Sequence, residues 1–180
     1  MSRQYFLDAP YCDPCLANQS AIVATTETVL FPVATFTQVP ASDARVGKMY
    51  WFKMGGIYST GASGTLTLTP RWGTTTGGVT FGASVAQTVP VSLTNEPWYI
   101  DGFIVMRTVN NGVATSSTAM AHGCFYGGGV AATAGSSFAV PFGGTSATID
   151  TSTTQGFFLG WTLSVAGSVT PQSCAFGSVN

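Results

Sequence analysis

The residues of this sequence that could carry chemistry are few, and their spacing matches no complete catalytic or metal-binding pattern. Cys12 and Cys15 form a CxxC, a spacing that is used in zinc sites and in thiol redox sites. No second CxxC follows, and the strand and helix that surround a redox CxxC are not indicated. A zinc site that adds Cys124 and Cys174 is one alternative. We expect instead reduced, partly buried cysteines and no bound metal.

The single histidine and the seven acidic residues are the other candidates for catalysis. His122 and Cys124 share one face of a predicted strand, about 7 Å apart along the backbone, which is too far for a hydrogen-bonded dyad. Glu96 and Asp101 are the closest acid pair along a strand, and a glycosidase needs two carboxylates that face each other across a cleft. A turn position explains Glu96 better. We therefore expect an interfacial histidine, no enzyme activity and no cofactor.

The composition indicates how the surface is used. Only 7% of the 180 residues are charged, against about 25% in an average protein. Hydrophobic residues make up 45%, which is ample for a core. A surface with so few charges is typical of one that an assembly or a large partner covers. The alternative is a monomer with a neutral surface of Ser and Thr.

Several classes of partner are not favoured by the sequence. The six basic residues are scattered from Arg3 to Arg107 without a cluster, so we expect no nucleic-acid binding. No apolar run approaches the length of a membrane span, so we predict no membrane segment. The first residues, MSRQYFLDAPYCDP, lack the apolar core of a signal peptide, so secretion by the usual route is not expected.

Residues 97–109, PWYIDGFIVMRTV, are the stretch on which the predicted fold is centred. Read with the two-residue period of a strand, one face is apolar enough for the inside of a sandwich: Trp98, Ile100, Gly102, Ile104, Met106 and Thr108. The other face is too apolar for solvent and too charged for a core: Tyr99, Asp101, Phe103, Val105, Arg107 and Val109. Such a face suits contact with another sheet or subunit, whereas the alternative is a strand covered on both sides by its own chain.

The rest of the chain also favours strands. These are predicted at 21–29, 28–36, 47–59, 64–72, 88–93, 113–126, 147–151, 157–165 and 169–179, with a kink or bulge at Gly55-Gly56. Asn110-Asn111-Gly112 favours a tight hairpin, and residues 73–78 and 127–137 are predicted loops. No segment has a sustained helical period. The patterns predict an all-β, single-domain β-sandwich or jelly roll over residues 20–180.

Residues 1–19 differ from this domain, because they contain two prolines and two cysteines without alternation. We predict an extended N-terminal arm that a partner orders. The alternative is a disordered tail, but several side chains are rather apolar for that, namely Tyr5, Phe6, Leu7, Tyr11 and Leu16.

Four pieces of the sequence carry a resemblance to a known family. They are TVLFPVATFTQVPASDARVGKMYWFKMGGIYST, GTLTLTPRWG, NEPWYIDGFIVMRTV and ATIDTSTTQGFFLGWTLSVAGS. The most distinctive are the Pro-Trp turn into a long strand and the TIDT step before the last Trp-containing strand. In this order, from Val29 to Leu163, they resemble small tailed-bacteriophage virion proteins with jelly-roll folds.

The resemblance implies a structural protein of the virion, assembled in the cytoplasm of the bacterial host. Some proteins of this kind are trimeric decoration, or cement, proteins on the outer surface of the capsid, and others belong to head fibres or tails. Together with the low charge, it favours a homotrimer that binds the major capsid protein. The expected capsid-binding residues of the arm are Tyr5, Phe6, Leu7 and Tyr11. The expected subunit contact consists of Tyr99, Asp101, Phe103, Val105 and Arg107.

Two other functions stay open. A tail-tip or fibre head domain would bind a host glycan on aromatic platforms such as Trp72 or Tyr126. A cellular module of the TNF-like or lectin type is the third possibility, which the lack of a secretory signal disfavours.

Overall fold

Two antiparallel β-sheets pack face to face in the computed structural model of this chain. It describes residues 9–10, 18–23, 25–32, 37–110, 112–113, 116–130 and 133–179. These residues form strands and turns without a helix, so the predicted all-β sandwich is confirmed.

None of the described residues belongs to a helix that could cross a membrane.

Within the described part of the chain, each sheet contains six strands. Sheet A contains, in spatial order, β1 (Ala9–Pro10), β12 (Gly167–Val179), β4 (Met49–Thr60), β8 (Leu93–Thr108), β9 (Ser117–Val130) and β10 (Thr133–Ile149). Sheet B contains β2 (Thr28–Val29), β11 (Gln155–Leu163), β5 (Gly64–Gly73) and β6 (Val79–Thr80), with β3 (Gln38–Val39) beside β11 and β7 (Gln87–Val89) beside β5.

The core lies between the sheets and is rich in aromatic rings. On β8 the predicted inner face is confirmed, since Trp98, Ile100, Ile104 and Met106 are all buried, whereas Thr108 at the end of the strand is exposed. Aromatic rings from the two sheets contact each other. The ring centroids of Phe52 and Phe157 are 4.3 Å apart, and those of the pairs Trp98–Trp161 and Tyr50–Trp72 are each 6.1 Å apart. Large aromatic side chains bury the most apolar area per residue and dominate the energetics of such a core.

The predicted loop at 127–137 is wrong for the residues that the structure describes, 127–130 and 133–137. Strands β9 and β10 form a long hairpin there, which pairs Gly127 with Phe138 and Gly128 with Ser137. A Cβ atom on Gly127 would lie 2.6 Å from the Phe125 ring and 2.8 Å from the Phe138 ring. This glycine is therefore a packing position within a strand. The predicted strand at 147–151 is the end of β10.

The hairpin after β8 is wider than predicted. Strand β8 ends at Thr108 and β9 begins at Ser117, so the returning strand starts four residues later than expected. The backbone N–H of Asn110 donates to Ser117 Oγ at 2.9 Å, and Asn110 Oδ1 accepts from the N–H of Gly112 at 3.3 Å. Asn111 lies outside the described residues.

The expected bulge at Gly55-Gly56 occurs at this point, but the extra residue belongs to the neighbouring strand. Gly56 pairs with Pro171 and Gly55 pairs with Ser173, so β12 has one residue more than β4 here. A Cβ atom on Gly56 would lie 2.2 Å from the carbonyl oxygen of Thr170, which explains the need for glycine.

The described part of residues 1–19 lies along the edge of sheet A. Strand β1 pairs with Gly177 and Ser178 of β12, and the N–H of Gln19 donates to the carbonyl oxygen of Pro171 at 2.8 Å. The predicted capsid-binding residues Tyr5, Phe6, Leu7 and Tyr11 lie outside the described residues, as do Cys12 and Cys15. The domain boundary at residue 19 and the role of these side chains stay predictions.

Candidate functional site: the outer face of sheet A

The outer face of sheet A contains all five residues of the predicted subunit contact. Tyr99, Asp101, Phe103, Val105 and Arg107 alternate along β8 with the buried residues of the core and so project away from it. Tyr99 is 40% exposed and Phe103 is 39% exposed. Strand β8 is therefore not sealed on both sides by the described part of its own chain, which was the alternative.

The register of the strands extends this face to both neighbours of β8. Phe103 pairs with Trp51 of β4 and with His122 of β9, and the Phe103 and His122 ring centroids are 5.7 Å apart. Tyr99 pairs with Tyr126, with stacked rings 6.2 Å apart. Aromatic side chains from three strands therefore contribute to this surface.

A groove of about 430 Å³ crosses β4, β8 and β9. By the strand register, one side carries Trp51, Phe103 and His122, and the other carries Lys53, Asp101 and Cys124. Between the two rows lie Gly102 and Gly123, which pair with each other. A Cβ atom on either glycine would lie 2.4 Å from a core phenylalanine ring. The volume and the mixture of rings with a few polar groups are typical of a binding site.

The charges of this face have few partners in the sandwich. Arg107 donates to the sulfur of Met120 at 3.1 Å, and among the described residues neither Asp101 nor Arg107 forms an ion pair. The Cys124 thiol, and after it the Asp101 carboxylate, raise the pKa of the exposed Tyr126 phenol. Asp101 and Arg107 lie about 20 Å apart along β8, so they do not pair with each other within one copy.

The pair of acids considered for glycoside hydrolysis is separated by the sheet. Asp101 projects outward from β8, whereas Glu96 alternates with the opposite, inner face and pairs with Tyr58. Burial, and secondarily the Glu96 carboxylate, raise the pKa of the Tyr58 phenol, whose O–H donates to the carbonyl oxygen of Gly128 at 2.8 Å. The two carboxylates do not face each other across a cleft, so this pair lacks the arrangement that glycoside hydrolysis requires.

Two further carboxylates hold the fold together. Asp43 Oδ2 accepts from the buried Lys48 ammonium at 2.7 Å and from the Tyr50 hydroxyl at 2.9 Å. Glu27 accepts two hydrogen bonds from Arg71 at 2.7 and 2.8 Å, which raise the pKa of the guanidinium. Paired, hydrogen-bonded charges of this kind satisfy partly buried groups and join distant segments.

A third carboxylate orders the turn after β10. Asp150 accepts from the N–H and the hydroxyl of Ser152 at 2.8 and 2.6 Å, and from Thr153 at 3.0 Å, which lowers its pKa. The carbonyl oxygen of the same residue accepts from Trp72 Nε1 at 3.0 Å. Trp72 is buried, so its predicted role as a glycan platform is wrong, whereas Tyr126 is exposed.

The two described cysteines lie on opposite sides of sheet A. Cys174 of β12 is buried in the core, and Cys124 of β9 lines the outer groove, where its thiol donates to the carbonyl oxygen of Phe125 at 3.6 Å. Three strand spacings, about 14 Å, separate β12 from β9. One zinc ion cannot bind both thiols, so the four-cysteine alternative is wrong. The described residues bring no three metal-ligating side chains together.

Sequence reasoning assigned the β8 residues to this face and expected an interfacial His122, but it missed Trp51 and Lys53 as their neighbours. A usable signal was present, because Met49, Trp51 and Lys53 alternate with the buried Tyr50 and Phe52 in the same way as the residues of β8 do. Two adjacent strands with apolar residues on both faces indicate a sheet whose outer side is also a contact surface.

Comparison with known proteins gives no family for this chain. No protein-family model and no curated protein matches it. A solved structure described as the CBM2 module of Lactobacillus casei BL23 phage J-1 evolved Dit aligns with 76% of this chain and 67% of that chain, at 7% identity and a TM-score of 0.20. A similarity at this TM-score does not bear on function, so function has to be inferred from the outer face of sheet A.

Proposed function

We propose that this chain is a non-enzymatic structural protein of a tailed-phage virion, and that it forms a homotrimer that decorates the outer surface of the head. Its partners are other copies of itself and the major capsid protein, and it assembles in the cytoplasm of the bacterial host. The observation that carries the proposal is the open, aromatic and sparsely charged outer face of sheet A, to which β4, β8 and β9 contribute.

The size of this face supports a role as a subunit contact. The five long strands of sheet A, which are β12, β4, β8, β9 and β10, give a width of about 24 Å at a spacing of about 4.8 Å, and the distance from Tyr99 to Arg107 is about 27 Å. The flat area is therefore about 650 Å², close to the roughly 800 Å² that each partner buries in a standard specific interface. Aromatic side chains and arginine, which this face provides, are the residue types enriched at the centres of interfaces.

The strand order supports the expected jelly roll, which we also propose. Strand β12 lies between β1 and β4 in sheet A, and β11 lies between β2 and β5 in sheet B, so the last strands of the chain insert between early ones in both sheets. This interleaving is typical of the paired Greek keys of a jelly roll. Strands β9 and β10 extend sheet A beyond this arrangement.

The proposed mechanism is mechanical. A protein that binds the assembled shell but not its separate subunits stabilises the shell by mass action, since binding adds free energy only to the assembled state. The arm residues Tyr5, Phe6, Leu7 and Tyr11 would bind the capsid, and the β8 residues would join the copies.

The test uses phage heads that lack this protein. We expect the purified full-length chain to have three times the monomer mass in analytical ultracentrifugation, to co-sediment with the heads, and to raise their disruption temperature. The variant that lacks residues 1–19 should stay trimeric and lose head binding. A monomer that does not co-sediment would contradict the proposal, and full binding by the shortened variant would contradict the role of the arm.

The groove favours one second candidate, a tail-tip or fibre head domain that binds a host glycan. Its row of Trp51, Phe103 and His122 faces polar groups that include Lys53 and Asp101, an arrangement that can stack on a sugar ring and bond its hydroxyls. Copy number per virion, measured by gel densitometry, distinguishes the two candidates. Hundreds of copies are expected for a head protein, and a few tens or fewer would favour the tail.

A further inference from the structure

A trimeric ring requires two different contact surfaces on every copy. Contacts around a three-fold axis are head-to-tail, so a surface on one copy meets another surface on the next. The outer face of sheet A supplies one surface. The second must be a separate group of exposed apolar side chains elsewhere on the sandwich.

Residues 79–91, VTFGASVAQTVPV, form such a surface, which we call the edge segment. It follows β5 along the edge of sheet B: β6 and β7 pair with β5, and between them Phe81 and Ser84 donate backbone hydrogen bonds to Pro70 and Leu68 at 2.9 and 2.8 Å. The buried Phe81 and Val89 anchor the segment. Its shape is therefore fixed by the domain on which it lies.

The edge segment exposes apolar side chains and carries no charge. Val85 is 77% exposed, more than any other large hydrophobic residue described, and Val79 and Val91, at the two ends of the segment, are also exposed. Four other exposed hydrophobic residues belong to the outer face of sheet A: Tyr99, Phe103, Tyr126 and Val179. The remaining three described, Val23, Val46 and Val113, are isolated in separate connecting segments.

We propose that the edge segment of one copy packs on the outer face of sheet A of the next copy, with Val85 in the groove beside Cys124. This inference rests on the proposed trimer. The edge segment has no charged side chain. Its own side of the contact therefore carries no cost for desolvating a charge when it covers Phe103. The exposed Thr80 and Thr88 hydroxyls can bond the polar row of Lys53 and Asp101. Three such contacts close the ring.

A disulfide test examines this contact directly. In the full-length chain with Cys12→Ser and Cys15→Ser, we introduce Val85→Cys and add copper–phenanthroline, which takes up the two electrons that two thiols release. Because a disulfide requires Cα atoms about 4.4–6.8 Å apart, a bond to Cys124 forms only if the two positions meet. We expect covalent trimers on a non-reducing gel. Adding Cys124→Ser should abolish them, and Val46→Cys in place of Val85→Cys should give none.

A second measurement does not depend on thiol chemistry. Val85→Asp should weaken the trimer at least tenfold in analytical ultracentrifugation, because the contact would then have to desolvate a carboxylate. Val46→Asp is the matched control, since Val46 is 69% exposed and lies outside both surfaces. Unchanged melting by circular dichroism would show that both variants fold. A trimer that Val85→Asp leaves intact would overturn this contact alone, whereas a wild-type monomer would overturn the trimer and this contact together.

Discussion

The two faces of sheet A have similar side chains and different surroundings. On β8, the inner residues Trp98 and Ile104 are buried, whereas Tyr99 and Phe103 are exposed, although all four are apolar or aromatic. The difference is that the inner face meets β11 and β5 of sheet B, whose own apolar side chains cover it. Hydrophobicity identifies a surface to be covered, and the position of the second sheet decides whether the chain itself covers it.

Two paired glycines of sheet A show the same difference between its inner and outer faces. Gly102 and Gly123 face inward, where the rings of Phe52 and Phe142 occupy the space that a side chain would need. Outside the same pair of glycines lies the groove. The inner side of this pair is filled by the chain's own rings, whereas the outer side is an open groove.

The largest expected effect is a loss of stability that follows from a substitution on the inner face. Phe52→Ala should lower the free energy of unfolding of the monomer by about 3–5 kcal/mol, because it removes a buried ring that stacks on Phe157 at 4.3 Å. The matched variant on the outer face, Phe103→Ala, should cost less than about 1 kcal/mol. Urea denaturation of dilute protein measures both values. Equal losses would remove the distinction between the faces.

The next effect concerns assembly. Phe103→Ser should raise the dissociation constant of the proposed trimer about 30-fold, near 2 kcal/mol, because truncating a central aromatic residue has this cost at many interfaces. Sedimentation equilibrium gives the constant, and Val113→Ser, at an exposed position outside both proposed surfaces, is the control. If both variants assemble as the wild type does, the outer face is not the contact.

A smaller effect tests the inner glycines. Gly102→Ala should destabilise the monomer by about 1–3 kcal/mol, since the new methyl group would lie 2.4 Å from the His122 carbonyl oxygen and the Phe52 ring. Gly112→Ala should be nearly neutral, because its nearest neighbour would be 3.7 Å away. Thermal melting compares them, and a stable Gly102→Ala variant would show that this inner layer can repack.

The smallest expected effect concerns the turn at Asp150, which lies outside both faces of sheet A. Hydrogen bonds from Ser152 lower the pKa of Asp150, so they stabilise the fold above the ordinary aspartate pKa of about 3.9 and lose this effect as pH falls through the lowered value. Ser152→Ala should therefore lower the melting temperature slightly at pH 7, and the difference should shrink as the pH falls below the ordinary aspartate pKa. A difference that grows on acidification would contradict this sign.

The sequence predicted the elements whose signal is local. Strands β5, β8 and β11 lie within a few residues of their predicted bounds, because a two-residue period reports burial directly. It failed where glycine serves packing between strands, as Gly127 does under Phe125 and Phe138, since the same residues also favour loops.

The candidate site was only half predictable for a related reason. The outer residues of β8 follow from alternation, but their neighbours follow from register. Register depends on pairing with segments that are distant in the sequence, and a shift of one residue would place Trp51 on the other face. No local sequence pattern indicates which residue of β4 or β9 lies beside Phe103.

Both lateral edges of sheet A are obstructed, which limits how copies can add to one another. On one side the chain's own β1 and Gln19 occupy hydrogen-bonding positions along β12. On the other, β10 contains Pro141, which has no N–H to offer, and an irregular register between Gly143 and Ser146. We therefore expect that even a crowded solution of this protein resists side-by-side ladder growth into fibrils.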